Sequence, residues 1–289
     1  MEMKSLQAVL EHGFNGIDLP VMTISEQEYE QRKCDRDNAE EGTLHLKDGY
    51  ECALCKNKGH IYAVQEYRGH YMEVQQPCKC QRARKAIHRL NRSGLRNVVK
   101  KYTFDKYEAI EPWQQSCKAA AMRFCKDDEN NWLFIAGQSG SGKTHLCTAA
   151  TVHFIRKGND AQYMLWRDDI AKIKAVGTDA VEREKLVKPL KETPVLYIDD
   201  LFKMGKDRTG NVEPPTPTDI NIAFEIINHR YNNPELVTII SSERTLTELC
   251  EIDEAVAGRI AERTKEAGYC LNIKRDPSRN WRMRGLEEI

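Results

Sequence analysis

Trp132-Leu-Phe-Ile-Ala136-Gly137-Gln-Ser139-Gly140-Ser141-Gly142-Lys143-Thr144 leads from an apolar run directly into a glycine-rich turn that ends in lysine and threonine. Every fixed position of the pattern G-x-x-x-x-G-K-[ST] is met between Gly137 and Thr144. A predicted strand at Trp132–Ala136 precedes the turn and a predicted helix at Thr144–Arg156 follows it, which is the setting that gives the pattern meaning. The residue types suit nucleotide phosphates. Glycines let backbone N–H groups turn inward, and the N-terminus of the next helix adds a favourable dipole. Gly137, Ser139, Gly140, Ser141 and Gly142 would frame the phosphates of ATP, Lys143 would set a point charge on the β- and γ-phosphates, and the Thr144 hydroxyl would ligate Mg²⁺. The competing reading is a Gly/Ser-rich strand–helix turn with an incidental lysine, and the full match in this setting argues against it.

Further along, Val195-Leu-Tyr-Ile198-Asp199-Asp200 is a short apolar run that releases two carboxylates at its C-terminal end, where ligands bind in parallel α/β sheets. Alone it reads as a strand end capped by aspartate. Beside a phosphate loop, Asp199 is assigned to the Mg²⁺ shell and Asp200 to polarising the attacking water. Many ATPases of this sort carry glutamate at the second position. Aspartate is one methylene shorter, so slow turnover is expected. A third run, Leu236-Val-Thr-Ile-Ile-Ser-Ser242-Glu243, ends in polar residues. If its strand lies between the first two, Ser242 or Glu243 becomes the candidate sensor of the γ-phosphate.

Two more short apolar runs, Gln162–Trp166 and Tyr269–Ile273, read as strands. Helical periods cover Asp168–Ala175, Val181–Lys191, Asp219–Tyr231 and Asp253–Lys265. Runs of this kind suit strands covered on both faces, so the fold class is α/β, a parallel sheet flanked by helices. Gly205–Pro217 reads as a loop.

The chain has 289 residues, enough for one large core and a smaller module. Its formal net charge of zero points to neither nucleic acid nor membrane, so any such argument rests on local charge. No apolar run reaches transmembrane length, and Glu2 and Glu11 flank the first apolar stretch with no cleavage-site pattern after it. A reducing cytoplasm is expected, because the ten cysteines do not form the framework of a small secreted domain. Ser25-Glu26-Gln27-Glu28 has the form of a capping box opening a helix, and another helix is predicted at Ser5–His12.

Cys52-x₂-Cys55 and Cys78-x-Cys80 form two knuckles with the compact spacing that holds tetrahedral Zn²⁺. The second pair is tighter than usual, and His60 or His70 is an alternative fourth ligand. A redox pair or free thiols are the other readings, and no thioredoxin-like pattern surrounds Cys52–Cys55. Cys117, Cys125, Cys147, Cys250 and Cys270 read as small core residues. Residues 79–101 hold nine Lys/Arg and no acid. This is either a solvated helix face, a surface for an acidic partner, or a contact for single-stranded DNA.

Together, the two cysteine pairs, the Arg-rich segment, Tyr102-Thr-Phe-Asp105, Gly137–Thr144, Val195–Asp200, Phe224-Glu-Ile-Ile-Asn-His-Arg230-Tyr231 and Thr238–Thr245 resemble DnaC/DnaI-type replicative helicase loaders, particularly the phage-encoded form. The resemblance spans about residues 48–289 and leaves 1–45 uncovered. It implies an AAA+ ATPase that engages a hexameric replicative helicase through its N-terminal region. It also implies side-by-side self-association, in which an arginine of one subunit completes the site of the next. In Asp253–Arg263 that arginine is Arg259 or Arg263, where a guanidinium would stabilise charge on the transferring phosphoryl group. Arg282 and Arg284 are candidates for a second sensor. After Arg263 only 26 residues follow, too few for the helical lid that many AAA+ proteins carry, so a lidless domain is expected.

The implied organisation is a helical, partner-binding segment at 1–45, a zinc module with a basic helix at 46–101, and the ATPase domain at 102–289. The implied function is loading a helicase on single-stranded DNA during replication initiation. IstB-type helpers of DNA transposition also look lidless, and the zinc pairs tip the choice toward loaders. A P-loop kinase of small molecules is the third reading, opposed by the paired Asp199–Asp200, the serine-ended strand and Arg259/Arg263.

Overall fold

A computed structural model of the chain describes residues 24–92, 98–129, 131–205 and 208–283. The helix predicted at Ser5–His12 and the side chain of Arg284 lie outside these residues. The chain separates into two compact units, one of residues through Glu40 with His60–Gln76, the other of Glu41–Gly59 with Pro77 onward.

In the smaller unit, helix α1 (Glu26–Ala39) opens with the expected capping box. Glu28 N–H donates to Ser25 Oγ, while Glu28 Oε2 accepts from Ser25 N–H. Strands β1 (His60–Tyr67) and β2 (His70–Pro77) form a two-stranded sheet. Their turn, Arg68-Gly69, has φ of 53° and 82°, as a two-residue hairpin loop requires. Asn38 of α1 brackets the Tyr62 backbone, donating to its carbonyl at 2.8 Å and accepting its N–H at 2.9 Å.

The larger unit begins with α2 (Leu44–Asp48), α3 (Cys80–Arg92), α4 (Val98–Lys101) and α5 (Pro112–Phe124). Then follow β3 (Trp132–Ala136), α6 (Lys143–Arg156), β4 (Ala161–Leu165), α7 (Trp166–Ala175), α8 (Ala180–Glu192) and β5 (Val195–Asp199). The chain continues through α9 (Pro217–Tyr231), β6 (Val237–Ser242), α10 (Leu246–Ile252), α11 (Glu254–Thr264) and β7 (Cys270–Asn272). The strand order is β4-β5-β6-β3-β7, and all pairs are parallel. β6 does lie between β5 and β3, pairing Ile240 with Ile198 and Ser242 with Ala136.

Alternate residues of each strand enter opposite cores. Leu133, Ile135, Tyr197 and Ile239 pack with α3, α5 and α6. Trp132, Phe134, Ile198 and Ile240 pack with α7 through α11. The strands are therefore covered on both faces, which is why they read as unbroken apolar runs. The predicted boundaries move by a residue or two, with Trp166 starting α7 instead of ending β4.

The last helical stretch is preceded by α10 and joined to it at Asp253, whose carboxylate accepts Val256 N–H at 2.7 Å and so caps α11. Cys250, expected in the core, is exposed, because Leu249 is the residue that short α10 buries.

The basic segment behaves differently from a free charged face. Ala83, Ala86, Ile87 and Leu90 of α3 are fully buried in the first core, while Lys79, Arg82 and Lys85 are exposed. Arg230 of α9 is fully buried, donating to Thr238 Oγ1 at 2.9 Å and to the carbonyls of Leu190, Lys191, Thr193 and Val237. It ties the end of α8 to the start of β6. Among the described residues no helix is long and apolar enough to cross a membrane.

Candidate nucleotide site and metal centre

The parallel sheet sets the C-terminal ends of β3, β5 and β6 side by side, and the Gly137–Thr144 loop crosses their edge into α6. Gly140 and Gly142 have φ of 77° and 87°. An added Cβ would collide with the Asn280 side chain at Gly140 and would meet the Tyr107 ring at 2.9 Å at Gly142, so both positions need glycine for conformation and for space. Lys143 is buried and donates to the carbonyls of Gly137 and Gln138 at 2.8 and 2.9 Å. Burial lowers its pKa, opposed by the nearby carboxylates of Asp200, Glu243 and Asp199.

Asp199 stands on the α6 side of the sheet, 3.3 Å from Thr144 Oγ1. Three further hydroxyls hold it: Tyr163 at 2.9 Å, Tyr197 at 2.6 Å and Ser241 at 2.5 Å. Burial and the Asp199 charge push both tyrosines upward, so they remain neutral donors. Asp200 donates its N–H to Ser241 Oγ at 3.0 Å, and its carboxylate pairs with Lys203 at 2.8 Å. Lys203 also pairs with Glu243 at 2.8 Å.

Ser242, expected beside Glu243 as a candidate sensor, is turned away from this group. Its buried hydroxyl donates to the Leu201 carbonyl at 2.9 Å and accepts Arg244 N–H at 3.1 Å. The reason is the strand's period of two: Ser241 shares the face of Ile239, toward α6, and Ser242 shares that of Ile240.

The cavity in front of the loop has a volume of about 560 Å³. One wall comes from the segment before α5 and its first residues, with Tyr102, Lys106, Tyr107 and Trp113. His145 packs edge-on against Tyr102 and Tyr107 at 5.4 and 5.3 Å and bonds the Thr103 carbonyl at 2.9 Å. The opposite wall is the segment after β7. Gln138 donates to the Asp276 carbonyl at 2.6 Å and accepts Asp276 N–H at 2.8 Å, and Trp281 N–H donates to the Gly140 carbonyl at 3.0 Å. Arg282 reaches Ser139 Oγ at 3.4 Å. Among the described residues this segment runs along the phosphate loop and forms two single-turn 3-10 helices, Pro277–Arg279 and Trp281–Met283.

Arg259 and Arg263 do not line this cavity. Arg259 donates to Asn228 at 2.9 Å and lies 4.8 Å over the Phe224 ring, and Arg263 donates to the Tyr231 carbonyl at 2.5 Å. Both stand half-buried where α11 meets α9.

The thiols of Cys52, Cys55, Cys78 and Cys80 all lie within 4.8 Å of one another. Cys52–Cys78 is 3.8 Å and Cys55–Cys80 is 3.6 Å. Tetrahedral thiolate ligation with bonds of about 2.3 Å sets sulfurs about 3.8 Å apart, whereas a disulfide bond is about 2 Å. Left-handed residues shape the first knuckle, Lys56 and Asn57 at φ of 44° and 67°, and Gly59 N–H donates to Cys55 Sγ at 3.2 Å. Burial raises the Cys80 thiol. At Cys55 burial acts the same way, but the Gly59 N–H and neighbouring thiols prevail and bring it to about 7.

His60 and His70 are not members of this group. His60 packs on Tyr62 at 5.3 Å and His70 lies 3.4 Å from Glu26, all in the smaller unit. Arg84 donates to Asp48 at 2.7 Å and to Asn57 at 3.2 Å, bracing the first knuckle from α3. It is therefore not one of the cations free for nucleic acid.

A family model described as IstB-like ATP binding protein matches residues 54–284. The chain belongs to this family. It is 30% identical over 236 residues to the phage-like element PBSX protein XkdC of Bacillus subtilis (strain 168), covering 78% of this chain and 83% of that protein. It is 29% identical over 127 residues to the replicative helicase loader DnaC of Buchnera aphidicola subsp. Acyrthosiphon pisum, covering 43% of this chain and 52% of that one. The chain thus spans most of XkdC and about half of that loader. Among solved structures, the DnaC helicase loader is 26% identical with a TM-score of 0.43, covering 61% of this chain and 96% of that one.

As a member of the IstB-like ATP-binding family, the chain is an AAA+ ATPase. Sequence reasoning reached the loop and both acidic residues but not Tyr163, Tyr197, Ser241 or Lys203. Ser241 was within reach: the alternation that faces Tyr197 and Asp199 toward α6 does the same for Ile239 and Ser241. Lys203 carried no such signal, because its position depends on the turn that follows β5.

Proposed function

We propose that this IstB-family ATPase is an ATP-controlled loader that engages a hexameric replicative helicase and places it on single-stranded DNA. The observation that carries the reading is the pairing of a complete phosphate-loop and carboxylate site with two arginines, Arg259 and Arg263, held on a different face at α9–α11. A site of this design is completed by a neighbouring copy, in which a guanidinium meets the transferring phosphoryl group. The loader relatives and the four-cysteine cluster favour this reading over others in the family.

Within it, Lys143 and the loop N–H groups bind the phosphates, and Asp200 polarises water. Glu243 takes the sensor role first shared with Ser242. Arg282, beside Ser139, is the candidate second sensor. Thr144 and Asp199 would hold Mg²⁺, their oxygens converging at 3.3 Å, and the ion would neutralise phosphate charge. Cys52, Cys55, Cys78 and Cys80 would hold one structural Zn²⁺, with Arg84 bracing the knuckle. Lys79, just before α3, and Arg82 and Lys85, on its exposed side, are the cations assigned to DNA phosphates. The N-terminal segment, residues 1–45, is assigned to helicase engagement in a reducing cytoplasm.

Native mass spectrometry of the full chain with its host's hexameric helicase, with and without ATP, tests the proposal. A defined complex supports it and gives its stoichiometry. No complex in either state rejects it. The second reading, an ATPase helper of DNA transposition, has the family match in its favour and predicts preference for duplex DNA.

A further inference from the structure

A tight, strained turn brings Lys203 to the phosphate end of the cavity. Asp200 and Phe202 both have φ of 58°, a left-handed conformation that bulky L-residues rarely adopt. It persists because the surroundings over-determine it. Leu201 and Phe202 are buried, and the Phe202 ring packs edge-on against Trp166 at 5.0 Å. Leu201 N–H donates to the Ser241 carbonyl at 2.8 Å, and the Leu201 carbonyl accepts the Ser242 hydroxyl. The fold thus locks the turn from β6, and the side chain it delivers to the cavity is Lys203.

The Lys203 ammonium lies 2.8 Å from Asp200 Oδ2 and 2.8 Å from Glu243 Oε1. A lysine ammonium has three N–H donors. Among the described residues these two carboxylates take two of them, which leaves one for a ligand in the cavity. Charge argues the same way. Asp199, Asp200 and Glu243 gather three carboxylates at the strand ends, beside a loop built to receive an anion. Lys143 is bonded to carbonyls of its own loop, and Lys203 is the cation seated between Asp200 and Glu243.

We propose that Lys203 reads the terminal phosphate of bound ATP: its third donor bonds the γ-phosphate while the other two hold Asp200 and Glu243 in place. This deepens the ATPase reading of the phosphate loop and rests on it. ATP is then preferred to ADP, because the added phosphate gains a charge-assisted hydrogen bond that ADP cannot make. The same contact leaves Asp200 oriented when the γ-phosphate arrives. Without the ammonium, Asp200 and Glu243 face the γ-phosphate as like charges.

The test uses the full chain with Mg²⁺, titrating ATP and ADP by calorimetry and measuring kcat and KM for wild type, Lys203→Met and Lys203→Arg. Lys203→Met is expected to weaken ATP by about tenfold to a hundredfold, the range for a hydrogen bond to a charged group, and ADP by less than about threefold. Its kcat falls as well. Lys203→Arg restores most of the preference for ATP, which a merely structural role would not produce. Equal losses for the two nucleotides, or no loss for either, overturn the proposal. If Lys203→Met does not fold, as judged by thermal melting, Lys203→Gln carries the same comparison with the same outcomes. Failure of the underlying reading looks different: the wild type then binds neither nucleotide, or Lys143→Ala binds both normally.

Discussion

Ser241 donates its hydroxyl proton to Asp199 at 2.5 Å, across the boundary between β6 and β5. The same oxygen accepts Asp200 N–H at 3.0 Å, so one buried side chain orients both adjacent acids. Ser241→Ala removes a donor from a buried carboxylate and leaves a backbone N–H without its acceptor. We expect a loss of about 1–3 kcal/mol in stability, read by urea denaturation, together with slower ATP turnover. Unchanged values for both would show that Ser241 does not organise the pair.

Lys143 is the buried ammonium at the mouth of α6, bonded to two carbonyls of its own loop. Lys143→Ala should abolish nucleotide binding while the protein keeps its fold, measured by calorimetry with ATP and ADP. Normal affinity in this variant would remove the phosphate-loop assignment.

The four-thiol cluster is joined to the ATPase core through α3, which begins at Cys80 and buries Ala83, Ala86, Ile87 and Leu90. Metal analysis should find about one zinc per chain, as a single four-thiolate site requires. Stripping it with a chelator should lower the melting temperature of the ATPase unit as a whole, because the cluster and the core share one helix. A metal-free protein that melts at the same temperature would refute a structural site.

Asp219 is fully buried in the first turn of α9. Burial alone would raise its pKa, but the Thr216 hydroxyl and N–H, at 2.6 and 2.7 Å, and the Lys174 ammonium, at 3.0 Å, outweigh it and hold the carboxyl below the ordinary range. A folded-state pKa below the unfolded value means that this group's stabilisation is complete above the unfolded aspartate pKa, about 3.9. It is lost as pH falls through the lower folded value. Asp219→Asn should cost about 1–3 kcal/mol at neutral pH, by loss of hydrogen bonds to a charged group. Denaturation at neutral pH and near pH 3 checks this: the gap between variant and wild type should narrow in acid. A gap independent of pH would mean that the carboxylate charge contributes nothing.

Much of the architecture is legible in the sequence, because it is encoded locally. Five short apolar runs marked five strands, and G-x-x-x-x-G-K-T marked the strand–helix turn that carries the phosphate loop. Ser25 and Glu28 signalled their helix start, since a capping box involves residues three apart. The sequence shows the basic segment as charged but does not show it as core-forming. Its buried Ala83, Ala86, Ile87 and Leu90 lie between the charges at helical spacing, and their partners come from elsewhere in the chain.

The sequence by itself determined the five strands of the parallel sheet, the glycine-rich loop, the two adjacent acids and the four cysteines, because each is a pattern of near neighbours whose chemistry travels with its spacing. Tertiary structure alone decided that Tyr163 and Tyr197 supply donors to Asp199, and that Lys203 joins Asp200 to Glu243. It also brought Gln138 against Asp276, 138 residues away in the chain. Strand register chooses the face of each side chain, and a strained turn chooses where Lys203 points. Both depend on packing between segments that are distant in sequence, where a local pattern carries no information.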